Sequence, residues 1–281
     1  MNLEGRLLKP VPVGQTSMPI LGLTSGRHEG KQVVVLANYF GSEFAIREVT
    51  INEESVPELK NVDVISTEKS AAYDGGTPKS LWGSVADAHS TPRAEVGQVW
   101  GEKLFYLQNG GRELGRFDLK TGKVLEPLTS LEEPGRYFAL LFSSGHILSI
   151  EGEADAKTWH VRTYVGGPTK NKLTKVRELD LGAKLLYGLC LFDDKVLVAA
   201  PAVSGLKDGA GIYRLGMGTG DLTKLQKFTG IPDDVRGLAP LYEEGHLLGF
   251  LTSTYDFNRS DPLLGAPSEI AFHRYDPKFK R

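Results

Sequence analysis

Cysteine is almost missing from this chain. Cys190 stands alone, so no intramolecular disulfide can form, and a small disulfide-stapled fold is excluded. An excess of charge of one sign is missing too. The 33 basic and 35 acidic residues leave a formal net charge of -2, which argues against a general polyanion-binding surface and predicts no nucleic-acid partner. Long apolar runs are absent. The segment Met1 to Gly14 alternates and carries Pro10 and Pro12, which predicts neither a signal peptide nor a membrane span, with the cytoplasm as the default location. No low-complexity stretch or linker cuts the sequence, so one domain over residues 1–281 is expected.

Chemical signatures are equally sparse. No HxH, HExxH or Cys-His spacing occurs, so no metal site is expected. No phosphate-binding glycine loop and no serine nucleophile elbow stands between a strand and a helix, and the nature of any cofactor is left open. Gly216-Met-Gly-Thr-Gly220 is glycine-rich, but it falls between two strand-like segments and reads as hairpin chemistry.

What the sequence does contain is a repeat. Five short apolar runs recur, each too short for a helix: Val33–Leu36, Leu104–Leu107, Ile147–Ile150, Val196–Ala199 and Leu247–Phe250. A small residue among apolar neighbours precedes each run: Gly22, Gly97, Ala139, Gly188 and Gly237. An arginine follows each in a third segment, at Arg47, Arg116, Arg162, Arg214 and Arg274. A fourth segment follows in most units, as in Leu125–Leu128, Leu173–Val176 and Leu222–Leu225. Four strands per unit predict an all-β, five-bladed β-propeller, with blades near 17–66, 94–130, 136–180, 185–229 and 235–281. Innermost strands crowd a propeller's axis, which accounts for a small residue in each first strand. A sandwich of five hairpin-rich units is the alternative, and it has no reason to repeat that residue.

The units resemble propeller blades of the quinoprotein-like and YWTD-like families. Phe117-Asp-Leu-Lys-Thr-Gly-Lys123 is similar to their outer hairpin, and Tyr275-Asp-Pro-Lys278 repeats its beginning. These motifs shape a turn and transfer no functional residue. The fifth unit stops after its third strand, while Gly5–Val13 has no unit of its own. The N-terminal segment 5–13 is therefore expected to close the ring as the outer strand of the last blade, an edge position that tolerates Pro10 and Pro12.

Loop lengths single out one face. Turns between first and second strands are brief, whereas the connections opening on the other face are long and unequal: 69–93 between units one and two, 201–210 in unit four, and 252–267 in unit five. Long loops on a rigid scaffold are where binding and catalysis sit. His89, with Asp87 two residues before it, is a candidate general base, and Asp256 a candidate partner carboxylate. Asn38, Tyr39, Tyr73, Asp74, Trp82, Glu151, Tyr255, Asn258 and Arg259 combine stacking and hydrogen bonding in a way that suits a saccharide or small polar ligand. Arg236 and Glu95 are the charged residues nearest the axis. Five-bladed propellers include glycosidases that place an aspartate in the first inner strand; here Met18–Thr24 contains no acid, which weakens that reading. Three functions remain open: a ligand-binding propeller with one asymmetric pocket, a hydrolase or lyase, and a protein-interaction scaffold. The oligomeric state is not predicted.

Overall fold

The computed structural model describes residues 6–16, 20–38, 43–66, 97–100, 103–108, 113–121, 123–129, 136–143, 146–152, 159–165, 174–182, 184, 186–192, 195–201, 204–227, 235–254 and 268–277. They form five antiparallel sheets arranged in a ring, a five-bladed β-propeller. The N-terminal strands are β1 (Arg6–Leu7) and β2 (Val11–Thr16). Blade one comprises β3 (Ile20–His28), β4 (Lys31–Asn38), β5 (Glu43–Ile51) and β6 (Pro57–Ser66). Blade two comprises β7 (Gly97–Trp100), β8 (Lys103–Gln108), β9 (Glu113–Asp118) and β10 (Lys123–Thr129). Blade three comprises β11 (Arg136–Ser143), β12 (His146–Gly152), β13 (Trp159–Val165) and β14 (Thr174–Gly182). Blade four comprises β15 (Tyr187–Phe192), β16 (Lys195–Ala200), β17 (Gly211–Leu215) and β18 (Leu222–Lys227). Blade five has β19 (Val235–Glu243), β20 (His246–Thr254) and β21 (Ser268–Asp276).

The first strands pack on one another in cyclic order, β3 to β7 to β11 to β15 to β19 and back to β3. Neighbouring blades cover both faces of the second strands β4, β16 and β20. That is why the second strands read as continuous apolar runs and not as alternating ones. Val33, Val34, Val35 and Leu36 are all buried. The outer strand β14 is exposed over most of its length.

The ring closes through the N-terminus, as expected. β1 and β2 both pair antiparallel with β21, from Arg6 opposite Asp276 to Thr16 opposite Ser268. The pairing runs farther than residue 13. It is interrupted between the two strands, where the Leu8 amide still donates to the Arg274 carbonyl at 2.8 Å. Pro12 lies on this outer edge, beside a register shift, where a missing N–H does least harm.

The aligned arginines hold their register, lying opposite Val34, Phe105, Ser149, Leu197 and Gly249 on the second strands. Two of them bond to the outer strand of their own blade. Arg116 Nε donates to the Glu126 carbonyl at 2.7 Å, and Arg162 Nε to the Glu178 carboxylate at 2.7 Å. Hydrogen bonds from Lys175 and then Arg162 hold the Glu178 carboxyl below its ordinary pKa. Arg47 lies against Gly14, where a Cβ would stand 3.3 Å from its Nη1, so this arginine meets the closing strand.

Glycine lets the inner strands approach. A Cβ on Gly188 would stand 2.8 Å from the Leu238 nitrogen of the next blade, and one on Gly237 would stand 2.9 Å from the Leu23 nitrogen. Gly188 also has φ +55, in the left-handed region.

Candidate functional site

Where second strands end and first strands begin, the chain emerges on one face of the ring. The inner strands share a device there. In β3, β11, β15 and β19 the register slips by one residue at the same level, between Ile20 and Gly22, Tyr137 and Ala139, Tyr187 and Leu189, and Val235 and Gly237. Each slip inserts one extra residue: Leu21, Phe138, Gly188 or Arg236. A β-bulge bends its strand and re-aims a side chain. The corresponding part of blade two precedes Gly97 and lies outside the described residues. The small residues are therefore not all equivalent, because Gly188 is itself the inserted residue whereas Gly22, Ala139 and Gly237 follow one.

Three of the candidate site residues lie on described strands, and the fold brings all three to this face. Asn38 ends β4 opposite Ile20 of the inner strand. Glu151, near the end of β12, is opposite Tyr137 on one side and His160 on the other. Arg236 is the inserted residue of β19. The remaining candidates, Tyr39, Tyr73, Asp74, Trp82, Asp87, His89, Tyr255, Asp256, Asn258 and Arg259, lie outside the described residues, as does Glu95.

The structure adds a row that sequence reading missed. Register places Glu151, His160 and Asp180 side by side across β12, β13 and β14. His160 is buried, and the Asp180 carboxylate accepts a hydrogen bond from the Gly182 amide at 2.6 Å. These residues are far apart in sequence, and only strand pairing aligns them. A second polar contact lies deeper in blade five. Thr252 Oγ1 and His273 Nε2 are 3.1 Å apart, both residues fully buried, and burial lowers the His273 pKa to about 4.

Other sequence features prove structural. In the 201–210 connection Pro201 and Ser204 are buried, Leu206 packs against the core shared by blades three and four, and Tyr213 donates to the Gly209 carbonyl. The glycine-rich turn closes on itself: the Gly220 amide donates to the Gly216 carbonyl at 2.7 Å and the Gly216 amide to Asp221 at 2.8 Å. In the outer hairpin of blade two, Asp118 Oδ1 accepts from the Thr121 and Lys120 amides at 2.8 and 3.0 Å, an Asx turn that lowers its pKa. Burial raises the Cys190 thiol, which keeps it inert. Among the described residues no group of three or more His, Cys, Asp or Glu could hold a metal ion, and no helix is long and apolar enough to cross a membrane.

Against known proteins the fold places this chain among the β-propellers. No family model matches it, and no curated protein does. Of solved structures, the glutaminyl cyclase of Myxococcus xanthus is similar over 97% of each chain, at 12% identity and a TM-score of 0.52. Identity that low shows a shared fold and transfers no chemistry. The RRP9 WD40 repeats match at 12% identity over 92% of this chain and 80% of that one, with a TM-score of 0.46. A mutant Bombyx mori GH32 β-fructofuranosidase, BmSUC1, in complex with sucrose, matches at 13% identity over 98% of this chain and 63% of that one, with a TM-score of 0.48. Neither of the last two bears on function here.

Proposed function

We propose that the protein is a ligand-binding β-propeller with one asymmetric pocket, for a saccharide or small polar molecule, on the face where the second strands end. One observation carries this reading: connections on that face are unequal. β20 ends at Thr254 and β21 begins at Ser268, and β6 ends at Ser66 while β7 begins at Gly97; β8 and β9 are separated only by 109–112. Blades five and one are ring neighbours, so the longest two connections issue from adjacent sectors. Unlike loops give one site and not five equivalent ones.

A glycan array with a small-metabolite thermal-shift panel tests the reading. A single-site binder whose affinity falls on Tyr255→Ala or Trp82→Ala supports it. A chain that binds no small molecule but captures one protein partner through this face replaces it with the scaffold reading. His89→Ala separates binding from catalysis: turnover lost with binding kept identifies a hydrolase or lyase using Asp87, His89 and Asp256.

A further inference from the structure

We propose that the seam where the N-terminal closing strand meets blade one binds a small oxyanion, a carboxylate or a phosphate, through the Arg47 guanidinium and the Asn61 side chain. This site lies on the outer rim, away from the mouth, and does not depend on the function proposed above. The five aligned arginines differ in how their charge is met. Arg214 and Arg274 are exposed to water. Arg116 is bonded to the Glu126 carbonyl, and the buried Arg162 to the Glu178 carboxylate. Arg47 is half-buried, and its Nε is buried with no hydrogen-bond partner.

Register fixes what stands around it. Arg47 is opposite Val34 on the second strand and Asn61 on the outer strand. Asn61 is exposed and neutral, and it occupies the place that Glu178 takes opposite Arg162 in blade three. Across the seam, a Cβ on Gly14 would stand 3.3 Å from Arg47 Nη1, so glycine keeps a side chain from crowding the guanidinium. Val13, Leu59 and Ile270 pack there and are all apolar. The acids beside Arg47 in register belong to the face toward blade two. Glu48, opposite Val33, takes Lys31 at 3.0 Å, and Asp63 is opposite Ile46. Burial lowers the Arg47 pKa, which reflects the cost of holding this charge among apolar groups. A half-desolvated cation gains from an anionic partner, and a planar guanidinium beside an amide donor suits an oxyanion.

A bound anion ties the closing strand to blade one, so it acts on the stability of the whole ring. Thermal unfolding of the full chain tests this, with sodium phosphate or sodium acetate titrated to about 10 mM against chloride at matched ionic strength. We expect at least one of the two anions to raise the melting temperature saturably, by about 2 °C or more over chloride. The two arms tell phosphate from carboxylate. Arg47→Gln should remove the rise and Asn61→Ala should weaken it. Arg274→Gln, at an exposed aligned position, should leave it whole. No saturable rise with either anion in the unaltered protein overturns the proposal, whether or not any variant folds. A rise that survives Arg47→Gln overturns it too, since that marks general salt stabilisation or a site elsewhere. The ligand-binding proposal for the mouth stands or falls separately.

Discussion

The Ser25 hydroxyl donates to the Pro240 carbonyl at 2.9 Å, joining the innermost strands of blades one and five across 215 residues of sequence. Nearby, the Tyr242 amide donates to Gln32 Oε1 at 3.1 Å. Leu23, Val34 and Leu36 of blade one pack with Ala239, Leu251 and Ile270 of blade five beneath these bonds. First and last blades thus share a core and a hydrogen-bonded seam, and the ring depends on that seam.

Removal of the closing strands is the direct test. Deleting residues 6–16 strips β1 and β2 from β21, and takes Gly14 away from Arg47 of blade one. The whole ring should lose stability, seen as a lower melting temperature for all of the β-sheet signal. An unchanged melting temperature would refute the closure.

The glycine contacts between blades predict a second loss. Gly188→Ala forces a Cβ against the Leu238 nitrogen at 2.8 Å and places alanine at φ +55. Strain and overpacking together should cost about 3 kcal/mol, read from the urea midpoint. Gly30→Ala, in an open turn with nothing within 4 Å of its Cβ, should cost clearly less.

Two turns carry avoidable strain. Glu29 and Gly30, and likewise Glu244 and Gly245, all have positive φ, which is the two-residue hairpin turn that favours Asn-Gly. Glu29→Asn and Glu244→Asn should each raise stability by about 0.5–1 kcal/mol without altering the fold. Chemical denaturation of the double variant checks whether the gains add.

Acid should destabilise the protein through His273. Its folded pKa, lowered to about 4 by burial, lies below the unfolded value of 6.5. Above about pH 6.5 both states are neutral and the group contributes no pH dependence. As pH falls from there toward 4, the unfolded chain takes a proton that the folded one refuses, and stability declines by about 3 kcal/mol over that window. His273→Gln should flatten the decline between pH 6.5 and 4. A variant that keeps the full slope would assign the acid sensitivity to other groups.

The sequence by itself determined the five-fold repeat, the four-strand unit and the closing of the ring. Each follows from local patterns: apolar runs such as Val33–Leu36, small residues at strand starts, and an unpaired N-terminal segment matching a blade that lacks its outer strand. Turn chemistry was legible as well, since Asp118 and the Gly216–Gly220 turn are satisfied within a few residues. Only the tertiary structure decided what depends on register. A one-residue slip leaves the apolar pattern almost unchanged, so the bulges at Leu21, Phe138, Gly188 and Arg236 are silent in the sequence, as is the alignment of Glu151, His160 and Asp180. The packing of the 201–210 connection was equally hidden: its length suggested a site, and only the structure shows Pro201 and Ser204 buried. Strand pattern is written in each residue's own polarity, whereas the mouth of the ring is set by which residues distant strands bring to one level.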